Sequence, residues 1–314
     1  MKRILEILPL ALAVVGLAAI FEPPVRAQEE PTLDAKRRVF FDVGAGFRTI
    51  RRGPDGSYYV LAAPIPPPPS KSSKPSKTSM SPAPAVVVFD PQGKKLRQIP
   101  AQPRRGEIVS PHSLDVDASG RVYIADLGGN AVSIYAVDGM HGTLLREFGE
   151  LADLSDDAEL NHRLNLGHLA SDKAGNLYFA FRYLPEPTVR KYDYTSGNLL
   201  DELSLTTLDL QPMAQSARQE IARIASGKAP VPHEIISGFG VDPETQELWL
   251  ALGNLLMHFD NADNNTGSAR AYTTSAARMV PDFILVEEDR LLLGNDPLGI
   301  YEFPRSSGVV HRSE

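Results

Sequence analysis

Polar residues that could bind a ligand or an ion recur at one position of the sequence, just before a short predicted strand that leads into a hairpin turn. With the hairpin turns aligned, the residues at this position are Arg48, His112, His168, Ser237 and Asp282. Two imidazoles and a carboxylate are ligands that a divalent metal accepts. The arginine and the histidines could equally donate hydrogen bonds to an anionic ligand. The sequence therefore predicts a binding site for a small molecule or peptide, with a metal site at His112, His168 and Asp282 as the weaker alternative.

Three further carboxylates lie in the stretch SPHSLDVDASGRVYIADLGGN (110–130), namely Asp115, Asp117 and Asp126. Asp117 directly precedes a predicted turn, where aspartate commonly accepts hydrogen bonds from backbone N–H groups. Asp172 and Asp242 occupy the same position of later copies. We therefore interpret the turn aspartates as structural. The spacing of an EF-hand calcium loop is absent from the sequence.

The elements that must position these residues repeat along the chain. Each copy has a short first strand, a turn rich in Asp, Gly, Glu or Pro, an apolar second strand and, in most copies, a third strand. The hairpins of the five recognisable copies span 49–62, 113–126, 168–181, 239–252 and 283–295. Four antiparallel strands repeated around an axis form the blade of a β-propeller. The sequence predicts an all-β propeller of five or six four-stranded blades.

The two ends of the chain are predicted to complete one blade together. The last copy ends after its third strand, at Gly308, and the segment RRVFFDVG (37–44) has no copy of its own. Pairing this segment with the last copy would close the ring and remove exposed strand edges. We expect an N-terminal strand to close the propeller.

The second and third copies resemble NHL-repeat propellers. The residues of the second copy that carry the resemblance are Pro111, 114–117, Gly120, 122–126, Asn130, Ile134 and Tyr135. The resemblance fades elsewhere, since the fourth copy has Glu-Thr-Gln in place of the hairpin glycine. It implies an exported bacterial propeller, of the NHL-like or six-bladed type, that acts as a binding or protein-interaction scaffold through its loop-bearing face.

Three insertions interrupt the repeat, and the one at residues 151–163 is expected to hold one or two helical turns. Residues 64–84 are rich in proline, lysine and serine, which predicts an extended, disordered loop. Residues 211–228 place Met213, Ala217 and Ile221 at helical spacing, which predicts an amphipathic helix packed on the propeller.

The N-terminal residues 1–27 have the pattern of a secretory signal peptide: a basic start, an apolar run over 8–21 and a small residue, Ala27, before a polar segment. An uncleaved membrane anchor is the alternative, and only in that case would the protein contact a membrane. We expect cleavage, a single propeller domain over 28–314, and a periplasmic or extracellular location. The chain has no cysteine, so disulfides and thiol chemistry are excluded.

The sequence favours a binding protein over an enzyme. It contains no nucleophile elbow, phosphate loop or dinucleotide fingerprint, and its net charge of −7 disfavours nucleic acid. The alternative is a calcium-dependent hydrolase of the gluconolactonase and regucalcin type, which shares the broad fold. Arg51 and Arg52 in the first innermost strand disfavour it because they would repel a cation there. The expected partner is an unidentified protein, peptide or small molecule, and no cofactor is expected unless calcium binds.

Overall fold

The computed structural model describes residues 32–43, 46–62, 86–99, 111–126, 133–137, 144–205, 210–227, 232–260, 265–272, 278–295 and 298–305. The signal segment 1–27 and the insertion 64–84 lie outside the described residues. The strands within the described ranges are β1 (Thr32–Asp34), β2 (Arg37–Val39), β3 (Phe47–Arg52), β4 (Tyr58–Ala62), β5 (Val86–Phe89), β6 (Lys95–Ile99), β7 (Pro111–Val116), β8 (Val122–Asp126), β9 (Ser133–Val137), β10 (Leu144–Phe148), β11 (Gly167–Ser171), β12 (Asn176–Phe181), β13 (Thr188–Asp193), β14 (Leu199–Ser204), β15 (Gly238–Val241), β16 (Leu248–Leu252), β17 (Leu255–Phe259), β18 (Asn265–Tyr272), β19 (Phe283–Val286), β20 (Arg290–Asn295) and β21 (Gly299–Pro304).

These strands form five sheets, built from strands that follow one another in the chain except for β1 and β2, which join the last two sheets. Blade 1 is β3-β4-β5-β6, blade 2 is β7-β8-β9-β10 and blade 3 is β11-β12-β13-β14. Blade 4 contains β15-β16-β17-β18, and blade 5 contains β19-β20-β21 followed by β2. The innermost strands β3, β7, β11, β15 and β19 each contact the next, and β19 contacts β3. The ring is therefore closed with five blades, which decides between the five and six that the sequence left open.

The predicted closure by an N-terminal strand is confirmed. Strand β2 pairs antiparallel with β21, with Arg37 opposite Glu302 and Val39 opposite Ile300. The paired segment is shorter than the predicted 37–44, because only residues 37–39 form the strand.

The sequence did not predict a second N-terminal strand. Strand β1 adds in parallel to the outer edge of β18 in blade 4. Its central residue, Leu33, is fully buried in an apolar cluster that includes Trp249 and Phe303. The N-terminal segment thus binds two neighbouring blades.

The core lies between neighbouring blades, because each strand alternates its side chains between the two faces of its sheet. Between blades 1 and 2, for example, Leu61 and Val88 pack with Leu114 and Ile124. The β-branched and aromatic residues that fill these layers also favour extended backbone. The residues that the strands need for extended backbone are therefore also the residues that fill the core between blades.

The hairpin aspartates have the structural role that the repeat predicted. Asp117 Oδ1 accepts hydrogen bonds from the N–H groups of Ser119 (2.8 Å) and Arg121 (2.9 Å). Its other oxygen accepts from the Tyr123 hydroxyl at 2.9 Å. Asp172 binds the corresponding residues of blade 3, and the turn glycine of blade 2, Gly120, has φ +79°. The carboxylates of Asp117 and Asp172 therefore stabilise the hairpins of blades 2 and 3.

Two helices flank the described blades. Helix α1 (Ala158–Leu164) begins at Asp157, whose side chain accepts a hydrogen bond from the N–H of Leu160 at 2.8 Å. Helix α2 (Gln211–Ala225) confirms the predicted amphipathic helix, and its Met213 and Ala217 pack on the core between blades 3 and 4. In the part of the chain that the structure describes, no helix is long and apolar enough to cross a membrane.

Candidate functional site

The five predicted site residues lie at one end of the central channel. We call this end the entrance face, because the innermost strands begin there, and the opposite end the hairpin face, because they turn there into the second strands. Arg48 and His112 are near the start of β3 and β7, and His168 is near the start of β11. Ser237 and Asp282 directly precede β15 and β19. Alignment on the hairpin turns therefore placed all five at the same end of the ring.

Three of these five side chains bind neighbouring backbone. The buried His112 accepts a hydrogen bond at Nε2 from the N–H of Gly167, at 3.4 Å. The buried His168 donates from Nε2 to the carbonyl of Ile236, at 3.2 Å. The Ser237 hydroxyl donates to the carbonyl of Ala251, at 3.2 Å. Since the two histidine contacts join neighbouring blades, these imidazoles help to hold the ring together.

His168 is held in its neutral form. Burial lowers the pKa of His168 well below its ordinary value, and the positive charge of Arg182 lowers this pKa further. The charge of His112, when protonated, and that of Arg51 act in the same direction. The hydrogen bond to Ile236 opposes them but does not outweigh burial. At neutral pH the His168 imidazole is therefore an uncharged donor.

This burial predicts a loss of stability in mild acid. In the unfolded chain His168 binds a proton near pH 6.5, whereas the folded protein excludes that proton until a much lower pH. The unfolded state then binds more protons, so the free energy of unfolding falls as the pH falls. Between about pH 7.5 and pH 5.5 the loss from this group is on the order of 1 kcal/mol. Urea titrations at the two pH values measure it.

A His168→Gln variant, which keeps a side-chain donor but no titrating group, is the matched comparison. It should lose less stability than the parent over the same interval, by on the order of 1 kcal/mol. An identical pH dependence in the parent and the variant would contradict the assignment to His168.

Arg182 belongs to the entrance face, although alignment of the strand starts did not reveal it. It directly follows β12, and its carbonyl accepts the N–H groups of Ile235 (2.7 Å) and Ile236 (3.2 Å). Its guanidinium forms an ion pair with Glu234. The sequence could have revealed Arg182 through the predicted topology. In an antiparallel hairpin the second strand ends at the face where the first strand begins, and Arg182 follows the second strand of its blade.

Arg48, Arg182 and Asp282 influence one another electrostatically. Burial lowers the pKa of Arg182, the charge of Asp282 raises it and the charge of Arg48 lowers it again. The Nε atoms of Arg48 and Arg182 are both buried, and neither has a hydrogen-bond acceptor among the described residues. Both arginines of this face therefore have an unused donor, and the charge of Arg48 acts on Arg182.

The proposed metal ligands do not form a cluster. Within the described residues, no group of three or more His, Asp or Glu side chains is arranged to hold a metal ion. The nearby positive charges of Arg48 and Arg182 also disfavour a cation at this face. Of the two chemistries that the sequence allowed here, the geometry favours anion binding.

The channel between the two faces contains the side chain of Arg51, which is buried. Its guanidinium Nε lies 3.0 Å from Asp115 Oδ1 of β7, in an ion pair. The terminal nitrogens donate to four carbonyls, those of Ile50 (2.9 Å), Ile284 (3.1 Å), Leu169 (2.5 Å) and Phe239 (3.1 Å). One side chain thereby contacts all five innermost strands.

The sequence led us to expect that Arg51 would repel a cation from the channel, but the structure pairs its charge with a carboxylate. Burial lowers the pKa of Arg51 and raises the pKa of Asp115, while the attraction between the two charges opposes both shifts. Because an arginine starts from so high a pKa, the pair stays ionic. The charge of Arg51 is compensated by Asp115 and the carbonyl oxygens.

Neither a known protein family nor a curated protein matches the chain. Solved structures do. A gluconolactonase from Xanthomonas campestris is 13% identical and has a TM-score of 0.50, over 84% of this chain and 73% of that one. The β-propeller domain of Swd1 from Myceliophteria thermophila is 12% identical, with a TM-score of 0.46 over 87% and 68% of the two chains. A chain of a nidogen and laminin complex is 12% identical, with a TM-score of 0.42 over 84% and 71%.

At such low identity these similarities concern the fold alone. The similarity to the gluconolactonase structure is consistent with the closed ring of five sheets in this chain. The chain therefore has the β-propeller fold, and its function has to be argued from its own residues.

Proposed function

We propose that the protein is an exported, NHL-like β-propeller that binds an anionic ligand at its entrance face. The ligand class is a small molecule or peptide that carries a carboxylate or a phosphate. The observation that carries the proposal is the pair of neighbouring guanidinium groups of Arg48 and Arg182, each with a buried Nε–H that has no acceptor among the described residues.

The energetics of these donors support an anion. A buried N–H group without an acceptor costs about 1–3 kcal/mol. Glu234 forms an ion pair with Arg182, and the charge of Asp282 also acts on Arg182, but both Nε–H groups stay unused. A carboxylate or phosphate offers several acceptor oxygens to the planar fork of an arginine, in a geometry that amines and alcohols do not match.

The surroundings support a preorganised site. His112, His168 and Ser237 are fixed by hydrogen bonds to the backbone of the ring. A rigid rim of this kind reduces the entropy that is lost when a ligand binds. Loops at such a rim commonly carry binding residues on propellers.

The test is the binding of simple anions. Inorganic phosphate and malonate, added at constant ionic strength, should raise the melting temperature of the protein and shift backbone NMR signals of β3 and β12. Arg48→Gln and Arg182→Gln should each weaken the binding about tenfold or more, because each removes a charge-assisted hydrogen bond.

Arg223→Gln is the control, because Arg223 is an exposed arginine in the last turn of α2. It should leave anion binding unchanged. If Arg223→Gln weakens anion binding as much as Arg48→Gln and Arg182→Gln do, the binding depends on the overall charge of the protein and not on a site at the entrance face. If calcium instead stabilises the protein, and the protein then hydrolyses a lactone, the hydrolase alternative replaces the binding proposal.

The exported location is proposed from residues 1–27 alone. Protein recovered from the periplasm or the medium should begin at Gln28. Full-length chain in the membrane fraction would instead indicate an uncleaved anchor.

A further inference from the structure

A cavity opens at the hairpin face. It lies at the other end of the channel from the proposed anion site. Its volume is about 740 Å³. Arg51 and Asp115 line its inner end, and the turns that follow the five innermost strands line its walls and mouth. A cavity of this size accommodates a small organic molecule.

The inner end of the cavity offers one unused acceptor. Asp115 is 3% exposed, and its Oδ1 is engaged by Arg51. Its Oδ2 has no hydrogen-bond partner among the described residues. The Ser171 hydroxyl is shared between two acceptors, since it lowers the pKa of Asp115 by hydrogen bonding to this carboxyl and also lies 3.4 Å from the carbonyl of Val116. A buried carboxylate oxygen of this kind is stabilised by a donor that enters from the cavity.

The lining has an excess of negative charge. Seven carboxylates line the cavity, against three basic side chains. The turn carboxylates Asp117, Asp242 and Glu287 have arginine partners just outside the lining. Glu288 is exposed at the mouth. With these three arginines the basic groups number six against seven carboxylates, so the charge of the lining does not favour an anionic ligand.

The lining also narrows the class of cation. It contains no aromatic residue, so neither a quaternary ammonium group nor a sugar ring finds an aromatic surface. The apolar part consists of short aliphatic side chains, among them Val116, Ala118 and Val241. Such walls suit the methylene chain of an aliphatic amine.

We propose that the hairpin-face cavity binds a small aliphatic amine, whose ammonium group donates a hydrogen bond to Asp115 Oδ2. Pairing at Oδ1 by Arg51 and at Oδ2 by the ligand would occupy both oxygens of the carboxylate. The site is independent of the anion site, because the Arg51 side chain lies between the two ends of the channel.

The probe for this site is 1,4-diaminobutane, with 1,4-butanediol as its uncharged equivalent. Diaminobutane at millimolar concentration should shift NMR signals of β7 and β11 and raise the melting temperature, and butanediol should do neither. Asp115→Asn keeps the shape of the side chain but removes its charge. We expect this variant to bind diaminobutane at least tenfold more weakly.

Ala118→Trp gives a test that does not disturb the ion pair, because Ala118 is an exposed residue at the mouth. The indole should obstruct the cavity and weaken diaminobutane binding without lowering the stability of the protein. Ser171→Ala should retain binding. The proposal is overturned if the parent protein does not respond to diaminobutane, or if both Ala118→Trp and Asp115→Asn bind it as the parent does.

Discussion

Replacing Arg51 by methionine should lower the free energy of unfolding by about 3–5 kcal/mol, the range observed when one partner of a buried ion pair is removed. The change leaves the carboxylate of Asp115 buried without its counter-charge. It also removes the donor from four carbonyls on four different strands. Chemical denaturation followed by tryptophan fluorescence measures the effect, since the single tryptophan, Trp249, is buried.

Arg52→Met is the matched control for this prediction. Arg52 is the next residue of the same strand. It forms an ion pair with Glu287 in which the arginine side chain is exposed to solvent. We expect a loss of about 1 kcal/mol or less. The double variant Arg51→Met with Asp115→Leu should recover part of the loss, because it removes the unpaired charge but not the unsatisfied carbonyls. A loss for Arg51→Met no larger than that for Arg52→Met would contradict the role of Arg51 in joining the blades.

Deleting residues 1–39 should destabilise the propeller by about 5 kcal/mol or more, or prevent it from folding. The deletion removes β1 and β2, and so exposes the edges of β18 and β21. The loss of buried Leu33 alone should cost about 2–5 kcal/mol. A domain whose total stability is about 5–15 kcal/mol tolerates such a change poorly.

The comparison is a chain that lacks only residues 1–31 and retains both strands. It should unfold at the same denaturant concentration as the chain that begins at Gln28. A synthetic peptide of residues 28–42 should restore stability to the longer deletion, because it can pair with the same two edges. If the chain without residues 1–39 is as stable as the chain without residues 1–31, the pairing of β1 and β2 contributes little to the free energy of unfolding.

The sequence predicted the parts of the fold that depend on local chemistry. Aspartate and glycine at fixed positions of the hairpins, such as Asp117 and Gly120, specify turns that the structure shows. The number of blades is a property of the whole ring, so no local pattern distinguished five from six. Strand β1 was missed because three residues at an edge carry little periodicity.

The candidate site was predictable only in part. Repeat alignment placed Arg48, His112 and Asp282 at one face because they share a position in the blade. It could not show that Arg182 lies at the same face as Arg48, since Arg182 occupies another position of the repeat. The pairing of Arg51 with Asp115 joins equivalent positions of neighbouring blades, and only packing reveals that the two side chains meet.

Closure of blade 5 by β2 has a consequence for the kinetics of folding. Arg37 and Glu302, which join β2 to β21, are 265 residues apart in the chain, whereas every other strand pair inside blade 5 is formed by a local hairpin. Long-range pairing of this kind is slow because the entropy of closing the loop is lost before the contacts form. During synthesis the first four blades can acquire their hairpins while the N-terminal segment still has no partner on β21. The rate at which residues 37–39 pair with β21 should therefore set how long the open edge of blade 5 can pair with other chains and aggregate.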